Sequence, residues 1–377
     1  MTSDWKEYTL EQISTILGDG LHGTPKYSIN GKYAFINGNN LSNGKIIIKS
    51  DTKRVDKCEY EKYKKDLNNR TLLVSINGTL GNIAEYNEEK IILGKSACYF
   101  NVKEDIDKYF IKYILLSKTF QDYLNNQATG TTIKNISLKQ MREYNFLLPP
   151  LETQQKIARV LSAIDDKIEL NNSINNNLEQ QIFTIFDNIF PNVRDGENTI
   201  SNYFSPKRGK NLLSKNAILG DVPVIAGGLN PATYHNVANT NAPVITISAS
   251  GANAGFVNLW HIPVWSSDSS YIDNTITSNI YFWYVMLKKR QQEIFDSQTG
   301  SAQPHIYPQH IEGMTVSDID MNLVNDFNNN ITPLFINIGK NIKENQKLIQ
   351  LRDTLLPKLM SGEIDVSNVD ISADNLL

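Results

Sequence analysis

The apolar residues of two segments, 157–185 and 327–355, recur in alternating steps of four and three. These steps average about 3.5 residues, the period with which a helix presents one seam to a partner helix. Both segments place asparagine at the same two seam positions. The predicted seam consists of Ile157, Leu161, Ile164, Ile168, Asn171, Asn175, Leu178, Ile182 and Ile185, and of Phe327, Ile331, Leu334, Ile338, Asn341, Asn345, Leu348 and Leu355, with Arg352 interrupting the second copy. The pattern predicts two long helices that pair as a coiled coil.

The two helices can pack antiparallel, because a long stretch of chain separates them. That pairing would place Asn171 beside Asn345, and Asn175 beside Asn341. A buried asparagine at a seam lowers stability but fixes the register and orientation of the helices. Two other interpretations stay open at this point: the asparagines lie on solvated helix surface, or each helix packs only on its own domain.

The rest of the chain alternates short apolar runs with Asn-Gly and Gly-Asn turns, which is typical of β-strands. The predicted strands are 33–36, 46–48, 72–76 and 97–102 in the first half, and 222–225, 244–248, 256–260 and 262–265 in the second. One amphipathic helix should follow each set, at 106–124 and at 278–295. Similar turns, around Gly78 and Gly81 and around Gly251 and Gly255, indicate that the two halves are repeats.

These patterns predict an α+β protein. Its two strand-rich domains should form a pseudo-two-fold repeat, separated by two long antiparallel coiled-coil helices. The first domain is expected at 1–150, a central helical region at 151–190, the second domain at 191–320 and a C-terminal helical region at 321–365. The end of the chain, 366–377, is expected to be a mobile tail.

Composition places the chain among ordinary soluble proteins and limits what it can bind alone. Its 377 residues carry a net charge of −3, with a positive excess in 1–150 and a slightly negative balance in 191–320. Such a chain can contact DNA locally, but partners would have to supply a strong grip on the phosphates. Cys58 and Cys98 form no disulfide framework, the first residues resemble no secretion signal, and no apolar run is long enough to span a bilayer. We therefore expect a cytoplasmic protein without a membrane partner.

Motifs of catalysis and cofactor binding are missing or fail on their context. Gly18 to Gly23 match the spacing of a dinucleotide-binding loop, but Thr24-Pro25 follows where a helix would have to begin. The sequence contains no nucleophile elbow, no zinc spacing among its His and Cys residues, and no glycine-lysine loop for phosphate. We predict no catalytic residue, no metal site and no cofactor in this chain.

Polar side chains that can pair with base edges are concentrated in the glycine-rich loops of both halves. The candidates for DNA contact in the first half are His22, Thr24, Lys26, Asn37, Asn39, Asn40, Asn77, Thr79, Thr131, Thr132, Lys134 and Asn135. Those in the second half are Lys207, Arg208, Lys210, Asn211, Asn230, Tyr234, His235, Ser250, Asn253, Ser301, Gln303 and His305. Because such residues also form stable turns, their concentration in equivalent loops is better evidence than any single member.

Two stretches at the long helices carry distinctive motifs, residues 147–158 (LLPPLETQQKIA) with 164–168 (IDDKI), and residues 352–364 (RDTLLPKLMSGEI). They resemble the specificity (S) subunits of type I restriction-modification systems. Residues 22–25 (HGTP), 36–41 (INGNNL) and 224–228 (VIAGG) also resemble segments of the family's target-recognition domains. One departure lies at 316–319, where VSDI replaces the proline-proline-leucine entry expected before the second long helix.

The resemblance implies two target-recognition domains that each read one half of an interrupted site in double-stranded DNA. It also implies that the helical regions dock two methyltransferase (M) subunits and set the spacer between the half-sites. Methyl transfer from S-adenosylmethionine would belong to M, while ATP- and Mg-dependent translocation and cleavage would belong to restriction (R) subunits bound through M. This chain would then be a non-catalytic subunit in the defence against foreign DNA.

Two rival classes of function stay open on the sequence. One is a coiled-coil adaptor that binds proteins and has no DNA specificity. The other is the recognition subunit of a self-contained restriction-methylation enzyme of type II-like organisation, for which methyltransferase activity of the chain alone would be diagnostic.

Overall fold

The computed structural model describes residues 4–130, 132–194, 196–300 and 302–367. The chain divides into two compact units, Met1–Lys167 with Lys347–Leu377, and Ile168–Gln346. Each unit combines one strand-rich half of the sequence with part of both long helices. This partition cuts through the helices, whereas the sequence divides the chain at their ends, so the predicted domain boundaries stay a prediction.

The first unit is built on two small sheets that contain most of its strands. Its strands are β1 (Lys6–Thr9), β2 (Ser14–Asp19), β3 (Tyr33–Ile36), β4 (Leu41–Ser42), β5 (Lys45–Ile46), β6 (Arg54–Val55), β7 (Thr71–Ser75), β8 (Ile83–Glu85), β9 (Ile91–Leu93), β10 (Ala97–Val102) and β11 (Asn145–Leu148). An antiparallel sheet has the order β2-β10-β7-β8, and a second sheet has the order β6-β3-β9, in which β3 and β9 are parallel. The remaining strands pair as β1-β11 and β4-β5.

The helices of the first unit correct one prediction. They are α1 (Lys57–Tyr63), α2 (Lys108–Leu116), α3 (Lys118–Gln127) and α4 (Leu138–Glu143), with a 3-10 turn at Gly38–Asn40. The single helix predicted at 106–124 is therefore two helices. Ser117 separates them, because its hydroxyl donates to Ile114 O of α2 and accepts from Phe120 N of α3. A serine that caps a new helix competes with continuation of the old one.

The second unit repeats this topology with different lengths. Its strands are β12 (Asn198–Thr199), β13 (Lys207–Arg208), β14 (Val222–Ile225), β15 (Thr233–His235), β16 (Val244–Ser248), β17 (Val257–Trp260), β18 (Trp265–Ser266), β19 (Ser269–Asp273) and β20 (Thr315–Val316). The sheet orders are β13-β19-β16-β17 and β15-β14-β18, again with one parallel pair, β14 and β18. Since β12 pairs with β20 as β1 pairs with β11, each pairing of the first unit except the β4-β5 hairpin has a counterpart here.

The helices of the second unit correct the matching prediction. They are α6 (Ile280–Lys289), α7 (Gln291–Asp296) and α8 (Pro308–Glu312), with 3-10 turns at Ile200–Asn202 and Ser214–Asn216. The helix predicted at 278–295 breaks at Arg290, which is 2% exposed. Its guanidinium donates to Glu293 of α7 and to Thr315 O of β20, so the break anchors the new helix to the edge of the unit.

Two long helices continue from one unit into the other, α5 (Leu151–Ile189) and α9 (Met321–Met360). They run antiparallel within each unit, and in the second unit Asn171 donates to Asn345 and Asn341 donates to Asn175, both at 2.8 Å. This pairing confirms the predicted register. Asn171 is 1% exposed and Asn345 is 7% exposed, so these two asparagines are not solvated helix surface. Among the helices that the structure describes, none has the length and apolarity needed to cross a bilayer.

One predicted seam residue is wrong. Ile185 is 38% exposed, whereas Phe186 and Phe190 are buried against the strand-rich part of the second unit. Ile182, Phe186 and Phe190 are four residues apart. Phe186 and Phe190 contact both Phe327 of α9 and Phe282 of α6, so this end of the helix faces the globular core as well as its partner helix. The other seam residues are buried or half-buried, including Arg352, which forms an ion pair with Asp165.

Candidate nucleic-acid interface

A glycine brings the loop after β2 against the turn after β9. A Cβ atom on Gly20 would lie 2.1 Å from the carbonyl oxygen of Leu93, so only glycine allows this approach. Leu21 N then donates to Leu93 O at 2.7 Å, and Lys95 N donates to Leu21 O at 3.0 Å. The loop that carries His22, which is exposed, is thereby held beside the turn of residues 94–96.

Ser96 connects this turn to two further loops. Its hydroxyl accepts from Gly38 N at 2.9 Å and donates to Asn37 Oδ1 at 3.0 Å, and its carbonyl accepts from Ile76 N at 2.9 Å. β3 and β9 are parallel, so the loops at their carboxyl ends emerge at the same edge of the sheet. The loops after β2, β3, β7 and β9 therefore form one hydrogen-bonded surface.

The turn after β7 extends that surface to the loop before α4. Gly78 has φ +77°, a conformation that favours glycine, and its N–H donates to Lys134 O at 2.9 Å. Asn77 Nδ2 donates to Asn135 Oδ1 at 3.0 Å, and Asn135 also exchanges two backbone hydrogen bonds with Thr129. This arrangement leaves Lys134 exposed at the edge of the turn.

The second unit builds the same surface with different side chains. Gly209 follows β13 as Gly20 follows β2, and a Cβ atom on it would lie 2.5 Å from Ser266 O. Gly251, with φ +83°, donates from its N–H to Pro304 O at 3.1 Å, as Gly78 does to Lys134. His305 exchanges two backbone hydrogen bonds with Thr299, as Asn135 does with Thr129.

An ion pair joins three of these loops in the second unit. Arg208 Nη2 donates to Asp268 Oδ1 at 2.6 Å, and Asp268 Oδ2 accepts from Ser250 Oγ. Ser250 in turn forms a β-bridge with His305. Asp268 therefore joins two residues predicted as DNA contacts, Arg208 and Ser250, and Ser250 connects them to a third, His305.

The predicted contact residues fall into groups with different surroundings. The exposed ones are His22, Thr24, Lys26, Asn39, Thr79, Thr132, Lys134, Lys207, Arg208, Lys210, Asn211, Asn230, Tyr234 and Gln303. The half-buried ones are Asn37, Asn77, Asn135, Ser250, Asn253 and His305. Thr131 and Ser301 lie outside the described residues. The exposed group stays a prediction, and the structure shows that its members are available for contact.

Two predicted contacts are corrected because their side chains are buried. Asn40 is 7% exposed, donates to Ile47 O and accepts from Asn37 N, so it shapes the loop after β3 from inside. His235 is 6% exposed, and its Nδ1 accepts from Ile218 N at 2.9 Å. Both residues hold loops in place rather than present polar groups to a ligand.

Sequence reasoning missed the turns after β9 and β18, which contain Ser96 and Asp268. The run 91–93 before Ser96 was not predicted as a strand, whereas the strand predicted at 262–265 overlaps β18 and only the polar residues after it were left out. Equivalent backbone contacts, from Ile76 N to Ser96 O and from Ala249 N to Asp268 O, show that the two residues occupy the same position of the repeat. A search of the repeat for polar residues after each short apolar run would have found them.

The surface carries exposed cations in both units. Exposed Lys26, Lys95 and Lys134 lie on the loops of the first unit, and exposed Lys207, Arg208 and Lys210 on those of the second. Among the described residues, no group of three or more His, Cys, Asp and Glu side chains is placed to hold a metal ion. Cations, amides and hydroxyls on paired loops match the acceptors and donors of phosphates and base edges.

The chain is similar in sequence to specificity subunits of type I restriction enzymes. The family model of the type I restriction modification DNA specificity domain matches residues 2–180. The type I restriction enzyme MjaIX specificity subunit of Methanocaldococcus jannaschii is 24% identical over 97% of this chain and 95% of its own length. The type I restriction enzyme HindI specificity subunit of Haemophilus influenzae is 26% identical over 63% of this chain and 53% of its own length.

A solved structure shows the same fold. The S subunit of a type I restriction-modification system from M. genitalium has a TM-score of 0.60 at 22% identity, over 94% of this chain and 96% of that one. This chain is therefore similar to type I restriction-modification specificity subunits over nearly its whole length, and its first half matches the model of their DNA specificity domain.

Proposed function

We propose that each unit of this chain reads one half of an interrupted site in double-stranded DNA, and that α5 and α9 dock two methyltransferase subunits and set the spacer. One observation supports the assignment of one half-site to each unit. The loops after equivalent strands form the same hydrogen-bonded surface twice, but with different exposed side chains. Two half-sites of different sequence require the same loop framework in both units but different side chains on its surface.

Chemistry would come from partner subunits. Methyl transfer from S-adenosylmethionine would take place on the methyltransferase subunits, and ATP- and Mg-dependent restriction on subunits that bind through them. The net charge of −3 supports this assembly, because the phosphate contacts that dominate DNA affinity would then come largely from the partners. The exposed loop residues would contribute sequence discrimination.

Exchange of one strand-rich half of the sequence tests the proposal. Residues 1–150 are replaced by the equivalent segment of another specificity subunit, and the complex with methyltransferase subunits is expressed in a host without background methylation. Sequencing of methylated positions should show one new half-site and one retained half-site. The matched control replaces residues 191–320 and should change the other half only. If either exchange alters both halves, the units do not read independently.

A further inference from the structure

Arg208 and Asp268 form an ion pair on the loop surface of the second unit. Arg208 is the last residue of β13, and its Nη2 lies 2.6 Å from Asp268 Oδ1. The two side chains are 41% and 34% exposed. The other carboxylate oxygen of Asp268 accepts from Ser250 Oγ. The carboxylate is therefore fixed between a loop residue and the guanidinium that it orients.

This ion pair is better suited to orienting the Arg208 side chain than to stabilising the fold. An ion pair with this exposure contributes little to folding, because solvent screens it and two side chains lose freedom. A carboxylate on a DNA-binding surface also repels phosphates, unless a cation neutralises it. Arginine offers five N–H donors in a rigid fork, and a contact at one of them leaves donors for a second acceptor.

We propose that Arg208, held by Asp268, reads a guanine in the half-site of the second unit through hydrogen bonds to O6 and N7. Guanine presents two adjacent acceptors in the major groove, and the guanidinium fork matches their spacing. Asp268 and Ser250 act as positioning residues that limit the rotamers of Arg208. The inference rests on the proposed function and adds one base of one half-site to it.

The first unit has a different pair at these positions. The strand equivalent to β13 ends in Asp19, which contacts His22 Nε2 at 2.6 Å, and the residue equivalent to Asp268 is Ser96. The arginine–aspartate pair is therefore a property of one repeat. Its loss should affect only the half-site that the second unit reads, and the other half-site serves as an internal control.

The test uses the complex of the full chain with its methyltransferase subunits and maps the methylated motif by sequencing. The variants are Arg208→Gln, Arg208→Lys and Asp268→Asn. Lys215→Gln is the matched control, because it removes an exposed cation from the same unit without touching Asp268. Circular dichroism and thermal unfolding of each variant verify that the fold is intact.

The wild-type complex should methylate a motif with a G·C pair in the half-site of the second unit. Arg208→Gln should relax that position by about 5- to 140-fold, which corresponds to about 1–3 kcal/mol for a bidentate contact. Arg208→Lys should keep methylation of the original site but lose part of the preference, because a lysine lacks the fork. Asp268→Asn should relax the same position by a smaller factor, and Lys215→Gln should leave the motif unchanged.

Other results would overturn the inference. A uniform fall in methylation with an unchanged motif would show that Arg208 contacts phosphates. A change at a C that appears only in Asp268→Asn would show that Asp268 itself contacts cytosine. A second half-site without any G·C pair would also be decisive against Arg208. If the wild-type complex methylates no interrupted motif, the proposed function itself fails, which is a distinct result.

Discussion

The two units hold the long helices with different chemistry. In the first unit, Asp165 of α5 accepts from Tyr113 of α2 at 2.8 Å and from Arg352 of α9 at 3.0 Å. In the second unit, aromatic rings from α5, α9 and α6, the counterpart of α2, pack together. Phe186 of α5, Phe282 of α6 and Phe327 of α9 have ring centroids 5.6 to 6.1 Å apart.

The polar contacts of the first unit stabilise it only if every buried polar group has a hydrogen-bond partner. Tyr113 is 0% exposed, so its hydroxyl needs a partner inside the unit. Burial raises the pKa of Tyr113, and the nearby carboxylate of Asp165 acts in the same direction, so the hydroxyl remains a donor. Arg352 occupies a seam position that would otherwise be apolar, and its charge is neutralised by Asp165.

The aromatic arrangement depends on volume instead. Apolar packing has no required partner, but each ring fills space that no neighbour can easily take. Equal topology therefore does not imply equal interactions. The seam position that Arg352 fills with an ion pair in the second copy is filled by the apolar Ile182 in the first copy. The polar network of the first unit and the aromatic cluster of the second should therefore fail in different ways.

Truncation of the aromatic cluster should have the largest effect. Phe327→Ala should lower the free energy of unfolding by about 3–5 kcal/mol, because it removes a buried ring and leaves a cavity. Trp260, Trp265 and Trp283 lie in the second unit, so the fluorescence midpoint in urea reports mainly on this part of the chain. A loss below about 1 kcal/mol would show that the cluster collapses into the space. Ile336→Ala, at an exposed position of the same helix, is the control.

Removal of the shared carboxylate should have a smaller effect in the first unit. Asp165→Ala should cost about 1–3 kcal/mol, because the buried Tyr113 hydroxyl and Arg352 lose their acceptor. Arg352→Ala combined with Asp165→Ala should cost less than the sum of the two single changes. Urea unfolding followed by circular dichroism measures this double-mutant cycle. Strictly additive costs would contradict the interpretation that Asp165, Tyr113 and Arg352 form one hydrogen-bonded network.

Acidification should weaken the second unit through His261. Burial lowers the pKa of His261 from 6.5 to about 4, so the folded state disfavours the protonated form. The unfolded chain therefore binds the proton first, and stability falls as the pH drops from about 6.5 towards 4. Between pH 7 and pH 5 this loss should be about 1–2 kcal/mol.

The matched variant for this pH effect is His261→Gln. Its tryptophan-monitored unfolding should show a smaller loss between pH 7 and pH 5 than that of the unaltered chain. Both proteins share the same carboxylates, so the difference isolates the histidine. Identical pH profiles would exclude His261 as the cause.

The paired asparagines should show the smallest effect on stability. Asn345→Leu alone should cost about 1 kcal/mol, because the buried Asn171 loses one of its two acceptors and keeps only Glu344. Asn171→Leu together with Asn345→Leu should be close to neutral, since both buried amides are replaced by apolar groups. Thermal unfolding of Asn345→Leu, of Asn171→Leu and of the double variant measures the difference. A double variant that is less stable than either single variant would contradict this account.

Much of the fold could be predicted because its signals are local in the chain. The heptad steps predicted both long helices, and the strands at 33–36, 97–102, 222–225 and 244–248 lie where the structure has them. The breaks at Ser117 and Arg290 could not be predicted with the same rules. Their apolar pattern continues through the break. At Ser117 the capping contacts are local but compete with that pattern, whereas at Arg290 the contact lies 25 residues away, at Thr315.

The candidate interface was predicted only as a set of loops. Glycine-rich turns with polar residues identified Arg208, Ser250 and His305 separately, at three distant places in the sequence. Asp268, which joins Arg208 to Ser250, was missed, while buried Asn40 and His235 were included. Residue type indicates what a side chain can bind, but burial and partners depend on which strands lie side by side.

The sequence by itself determined the repeat, the antiparallel helix pair and the register of its asparagines, because periodicity and spacing are properties of one chain segment at a time. Only the tertiary structure decided which polar groups face outward and which hold the loops together. It also decided that one repeat closes its helices with a hydrogen-bonded carboxylate and the other with packed rings. The reason is that these hydrogen bonds and ring contacts are made between segments far apart in sequence, and only the packing of strands and helices brings those segments within reach.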